Sequence, residues 1–296
     1  MIHNLPEMPA FRDERPDSTI SEIALRVVVE FEGWDLYVVG TATLVAGHLA
    51  ITASHVLDYV FRRFGAQRKS EKHTEIDDYA LRLYQVLPGP VYRVWNVFSA
   101  WTCPTDIAIL HLGLWRTSLP EETIQWKQPR LRALPPPIGQ KVIAFGYRES
   151  KVSVRADADG MHHIEINDKP TISIGEIKQI YTSGRDSILL PFPCYEVEAR
   201  FDAGMSGGMV IDENGALCGL VCASLSTSDP NVRPVSYVAT LWPMLATIIC
   251  VNRGDSYPRN VEYPVIDLAR DGLIIVVAPQ LTVVPAPPLN QALERM

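Results

Sequence analysis

After His163 the chain contains no histidine, and that absence decides how its nucleophile-like motif can work. The motif is Gly204-Met205-Ser206-Gly207-Gly208. A Gly-x-Ser-x-Gly turn can belong to an α/β-hydrolase, where the order along the chain is Ser, then an acid, then His. With no base downstream of Ser206, that order is excluded. The reverse order, with His and Asp before Ser, remains open.

Other absences narrow the class further. No run approaches the roughly 18 apolar residues needed to cross a bilayer as a helix. Positive charge is not in surplus: the formal net charge is −7, which argues against nucleic acid or anionic membrane as the main partner. Residues 1–19 carry Glu7, Asp13, Glu14 and Asp17 among prolines, with neither a basic nor an apolar stretch of the signal-peptide kind. Cysteine is sparse and odd in number: Cys103, Cys194, Cys218, Cys222 and Cys250 match no zinc spacing. Free thiols in a cytoplasmic setting are the expectation. No metal and no cofactor is implied. His162-His163 reads as a surface pair, and His111 as a structural residue of a strand.

What remains is an ordinary globular composition, 47% hydrophobic and 21% charged over 296 residues. Residues 1–20 read as an extended arm. Residues 23–45 read as two strands around a turn at Glu32-Gly33-Trp34-Asp35, and 48–52 as a third strand. Residues 55–64 have the period of a short helix. Residues 66–78 read as a charged, solvated loop. Residues 79–86, 91–98 and 107–112 read as strands. The Pro- and charge-rich stretch 119–137 reads as a linker. A second strand set follows at 141–146, 163–167, 171–181, 194–199, 208–211 and 217–224, then a helix at 240–250. Residues 251–296 form an appendage of unassigned structure. Short strands with turn signals between them point to an all-β protein of barrels or sandwiches.

Three motifs supply nucleophilic chemistry. A serine hydroxyl needs a base, and a histidine suits because it titrates near neutrality. His55 follows the small residues Ala53 and Ser54 at the end of a strand. Asp106 directly precedes four apolar residues, Ile107 to Leu110, which places its carboxylate at the edge of a core. Such a carboxylate fixes the imidazole tautomer. Asp77 and Asp78 compete for that role but lie in a charged segment. Ser206 sits among glycines that permit a tight turn. The amides of Gly204 and Ser206 can converge on an oxyanion, each such donor being worth about 3–4 kcal/mol of barrier.

This ordered set resembles the trypsin-like serine peptidases of the chymotrypsin fold, the bacterial HtrA-type catalytic domain in particular. It comprises Gly40-Thr41-Ala42-Thr43-Leu44-Val45, Thr52-Ala53-Ser54-His55-Val56 and Asp106-Ile107-Ala108-Ile109-Leu110, then residues 139–147, Gly175-Glu176-Ile177, 202–210, Gly219-Leu220-Val221 and 236–238. The resemblance spans residues 21–250. It implies two six-stranded antiparallel β-barrels, about 21–118 and 138–250 around the 119–137 linker, with a short C-terminal helix. It also implies a His55–Asp106–Ser206 triad, an oxyanion hole at Gly204 and Ser206, and a protein or peptide substrate. Arg200 then falls at the floor of the primary pocket, and Cys222, Ala223 and Ser224 on the strand that pairs with substrate. An inward Arg200 would favour acidic side chains. An outward one, paired with Glu198 or Asp202, would leave an apolar pocket lined by Phe201, which is the expectation.

Two departures stand out. Met205 occupies the position where secreted trypsins carry an Asp that captures a newly cut N-terminus, so that salt bridge cannot form. No PDZ-like domain fits in residues 251–296. The leading expectation is a regulated cytoplasmic endopeptidase. The alternatives are a protease-fold module that only binds a partner, and a latent effector activated when a protein partner orders the loop around Met205.

Overall fold

The computed structural model describes residues 11–14, 19–30, 36–64, 67–68, 70, 72–76, 80–87, 91–118, 127–157, 162–225, 233–250 and 262–277. The turn 32–35 and the competing Asp77 and Asp78 lie outside them.

Six strands close the first ring: β1 (Ala24–Glu30), β2 (Leu36–Ala46), β3 (Leu49–Thr52), β4 (Ala80–Leu87), β5 (Val91–Thr102) and β6 (Ala108–Thr117). Their order is β5-β4-β1-β2-β3-β6, and β6 returns to pair with β5. Closure leaves an edge only where β5 runs on past β4. The 66–78 segment departs from the expected loop, because Gln67–Arg68 and His73–Glu75 extend the sheet beside β5. His73 stacks on Trp101 at 4.9 Å, giving that charged segment an anchor that composition does not reveal.

The second ring is β7 (Lys141–Ala156), β8 (His162–Tyr181), β9 (Cys194–Glu198), β10 (Met209–Asp212), β11 (Leu217–Leu225) and β12 (Val235–Thr240). The order is β10-β7-β8-β9-β12-β11, closed by β10 on β11. The chain is therefore all-β with two six-stranded antiparallel rings. Strands 163–167 and 171–181, expected as separate, run together as β8. With β7 they form one hairpin that continues past the barrel, with a register shift between Arg148 and Lys151. Pairing with β7 carries the strand through the Asn-Asp-Lys-Pro signal.

Each ring encloses its own apolar core. Val27, Leu83, Trp95 and Leu110 fill the first, and Val142, Val197, Phe201, Met205 and Val238 the second. A third cluster joins the two barrels through Ile51, Trp101 and Ile107 on one side and Phe145, Tyr147 and Leu220 on the other. β1 and residues 40–46 of β2 are buried on both faces, because each lies between its own core and the neighbouring barrel, so they lack the polar alternation of a strand with one wet face.

The expected helix at 240–250 shortens to Trp242–Leu245, followed by a two-residue strand, Ile248–Ile249. Residues 262–277 pack back onto the second barrel. Leu268 and Ile274 are buried there, and Ile275–Val277 pairs in parallel with Arg130–Arg132, itself parallel to β11. Among the described residues no helix is long and apolar enough to cross a membrane.

Candidate active site

His55 is the second residue of helix α1 (Ser54–Phe64), directly after β3. Asp106 lies in the bend between β5 and β6, which is pinned by the Cys103 amide donating to the Ile107 carbonyl at 2.9 Å. Because β3 pairs with β6, Thr52 opposite Ala108, the two bends meet. Asp106 holds the histidine at two points. Its Oδ1 accepts the His55 backbone N–H at 3.0 Å, and its Oδ2 lies 2.7 Å from Nδ1. The carboxylate is 7% exposed while the imidazole is 47% exposed, so one end of the ring is clamped and the other faces solvent.

Burial alone would lower the His55 pKa. The hydrogen bond and charge of Asp106, with the charge of Asp58, outweigh it, and the ring titrates above its ordinary 6.5. A third group feels the carboxylate. Burial of the Cys222 thiol, together with the negative charge of Asp106, pushes its pKa well above the ordinary 9.0. Cys222 reads from sequence only as part of a substrate-pairing strand. Its nearness to Asp106 depends on how the second barrel docks on the first, which local spacing does not encode.

Ser206 comes from the second barrel, on the turn ahead of β10. Every glycine of its motif is fixed by close approach. A Cβ on Gly208 would lie 2.1 Å from the Phe145 carbonyl oxygen, and one on Gly207, at φ +79°, 2.2 Å from that of Thr41. Gly204 has φ +93°, where a Cβ would meet the Tyr147 oxygen at 2.5 Å. The turn is tied across the barrel interface by Thr41. Its N–H donates to the Ser206 carbonyl at 2.9 Å and its hydroxyl to the Gly204 carbonyl at 2.9 Å. The same hydroxyl accepts the Tyr147 N–H at 3.0 Å. Thr41 is legible in sequence as part of a motif, but not as the tie between His55's barrel and Ser206's loop.

Met205 is wholly buried, in the second-barrel core beside Phe201. Its sulfur accepts the Asp202 N–H at 3.4 Å, and its own N–H donates to the Asp202 carbonyl at 3.1 Å. Packing thus occupies the place of the salt bridge that a secreted trypsin would use. Among the described residues neither the Gly204 nor the Ser206 amide donates to another group, and no hydrogen bond joins the Ser206 hydroxyl to His55.

A groove of about 400 Å³ opens beside Ser206, walled by Phe201, Asp202, Ala203, Val221, Cys222, Ala223 and Ser224. Arg200 does not line it. The guanidinium points outward and forks onto Asp202, at 2.7 and 3.0 Å, over the Phe11 ring at 4.7 Å. On the other side of the imidazole a hollow of about 330 Å³ is lined by His55, Tyr59, Arg62 and Arg63, one face of α1.

Among the described residues no cluster of His, Cys, Asp and Glu could hold a metal. His163 lies in the outer hairpin, 3.0 Å from Asp157. His111 packs edge-on against Phe98 at 5.9 Å.

Two closed antiparallel barrels, with His, Asp and Ser brought to their junction, define the class of the trypsin-like proteases. The chain belongs to the trypsin-like peptidase domain family, whose model matches residues 40–220. No curated protein matches its sequence. Among solved structures it is similar to the active form of the Rv3671c protease from M. tuberculosis, with 17% identity over 82% of this chain and 91% of that one, TM-score 0.44. It is also similar to the HtrA-type protease AlgW with a tripeptide (15% identity, 74% and 56% covered, TM-score 0.41). The MamO protease domain from Magnetospirillum magneticum is a third (14%, 75% and 94%, TM-score 0.42).

Proposed function

We propose that this serine protease is an endopeptidase that cleaves protein or peptide substrates through an acyl-enzyme on Ser206. In this reading Ser206 Oγ attacks the scissile carbonyl carbon and its proton passes to His55 Nε2. Asp106 holds the Nδ1 tautomer and stabilises the imidazolium. The Gly204 and Ser206 amides receive the oxyanion, the C–N bond breaks as His55 protonates the leaving amine, and water completes the cycle by the same route. The observation that carries the reading is the two-point hold of Asp106 on His55, with both candidate oxyanion amides left undonated beside it. The groove walls are uncharged apart from Asp202, whose carboxylate is taken by the Arg200 fork outside the groove, which favours an apolar side chain before the scissile bond. The five unbridged cysteines support a reducing, cytoplasmic setting.

One observation favours a latent variant of the same reading. With the Ser206 hydroxyl not bonded to His55, productive contact would form when substrate or a protein partner tightens the site, as often occurs on binding. The test is hydrolysis of an unfolded protein by wild type, Ser206→Ala and His55→Ala. The reading expects cleavage by wild type, abolished in both variants. Cleavage that survives Ser206→Ala would overturn it.

A further inference from the structure

Phe11–Asp13 forms a short antiparallel strand on β8, with Phe11 opposite Ser173 and Asp13 opposite Thr171, and the Glu14 N–H donates to the Pro170 carbonyl at 2.7 Å. The arm therefore leaves the first barrel and docks on the second. Phe11 packs against the apolar cluster that contains Phe201 and Met205.

The Phe11 ring also lies under two guanidiniums, Arg200 at 4.7 Å and Arg148 at 5.2 Å. Arg148 is 14% exposed. It donates to Asp13 at 2.6 Å and to the Thr171 hydroxyl at 2.8 Å, and lies 3.8 Å from Asp202. Asp202 in turn accepts the Arg200 fork and opens the turn whose carbonyl receives the Met205 N–H. Gly204 rests on Tyr147 and Arg148: a Cβ there would lie 2.5 Å from the Tyr147 oxygen and 3.3 Å from the Arg148 Cα. Contacts thus run from Phe11 and Asp13, through Arg148 and Asp202, to the turn that carries Gly204 and Met205.

We propose that residues 11–14 are a positioning strand for the oxyanion loop, with Phe11, Asp13, Arg148 and Asp202 as its positioning residues. A secreted trypsin locks this loop with a charged terminus buried beside its Asp. Here a buried Met205 takes the Asp position, and a docked internal segment braces the loop from outside. The proposal rests on the Ser206 reading for its catalytic consequence, but not for its structural one.

The full-length protein carrying Phe11→Ala is compared with wild type and with Phe11→Tyr, which keeps a ring under both guanidiniums. Amide hydrogen exchange is followed across residues 200–208, alongside kcat and KM on a peptide substrate. Phe11→Ala should speed exchange in 200–208 by about tenfold or more while the first-barrel strands stay protected. It should lower kcat about tenfold with KM within about twofold, as expected when an interaction made in the transition state is lost. Phe11→Tyr should restore both. Unchanged exchange at 200–208 in Phe11→Ala overturns the proposal. Should wild type show no turnover, the Ser206 reading fails while the exchange comparison still decides the role of the arm.

Discussion

His55 receives opposite pushes, from burial and from Asp106, and their balance sets its working range. Because Asp106 wins, the ring titrates above 6.5, and a base must be neutral to take the Ser206 proton. The acid limb of kcat/KM should therefore fall above that value in the wild type. In Asp106→Asn the charge and the carboxylate acceptor are gone while burial remains, so the limb should move to lower pH. Turnover should also drop about 10⁴-fold, because the amide holds the ring in the wrong tautomer. A pH–rate profile of both proteins checks this; an unmoved limb would detach Asp106 from the base. As candidates, His55, Asp106 and Ser206 stand out in the sequence because their order and flanking residues are local. The outward turn of Arg200 is less so: it depends on Asp202 two residues away and on Phe11 far upstream, and only the Asp202 half is visible in sequence.

Among elements, β2 contributes most to the site through one residue. Thr41 binds Ser206 and Gly204 and caps the Tyr147 amide, so the loop bearing Ser206 is held by the strand next to β3 and α1. Thr41→Val keeps the shape, removes the hydroxyl and leaves the buried Tyr147 N–H without its acceptor, at a cost of about 1–3 kcal/mol. Thermal unfolding should show that loss. The kcat should fall further than stability predicts, because the Gly204 carbonyl is released too. A variant with normal kcat would show that the tie is dispensable. Strand existence is legible wherever one face is wet, as along β4, where buried residues alternate with half-buried ones from Leu81 to Leu87. It fails where tertiary pairing overrides local signals: β8 runs through Pro170, and His73–Glu75 becomes a strand because β5 offers an edge. The 240–250 helix shortens for the same reason, since Ile248–Ile249 finds Tyr263–Pro264 to pair with.

At the scale of the whole molecule the candidate catalytic groups are divided between two barrels, and the proposed chemistry depends on how rigidly those barrels meet. Their junction is apolar, through Ile51, Trp101, Phe145 and Leu220, and among the described residues one buried ion pair crosses it. Arg26 of β1 binds Asp168 of β8 and lies 3.8 Å over the Tyr147 ring. Such a pair is costly to bury and costly to break, so it favours one register of the two halves over others. None of this is legible in sequence, where Arg26 is one charge in an apolar strand and Asp168 one turn-former among several. The central claim is that this junction makes Ser206 a nucleophile, and the most direct measurement is reaction of the folded protein with a fluorophosphonate, mapped by mass spectrometry. A single adduct on Ser206 in wild type, absent from His55→Ala and from protein unfolded in denaturant, is the expected result. An adduct on another residue, or no adduct on Ser206 even with substrate peptide or a candidate protein partner present, would contradict it.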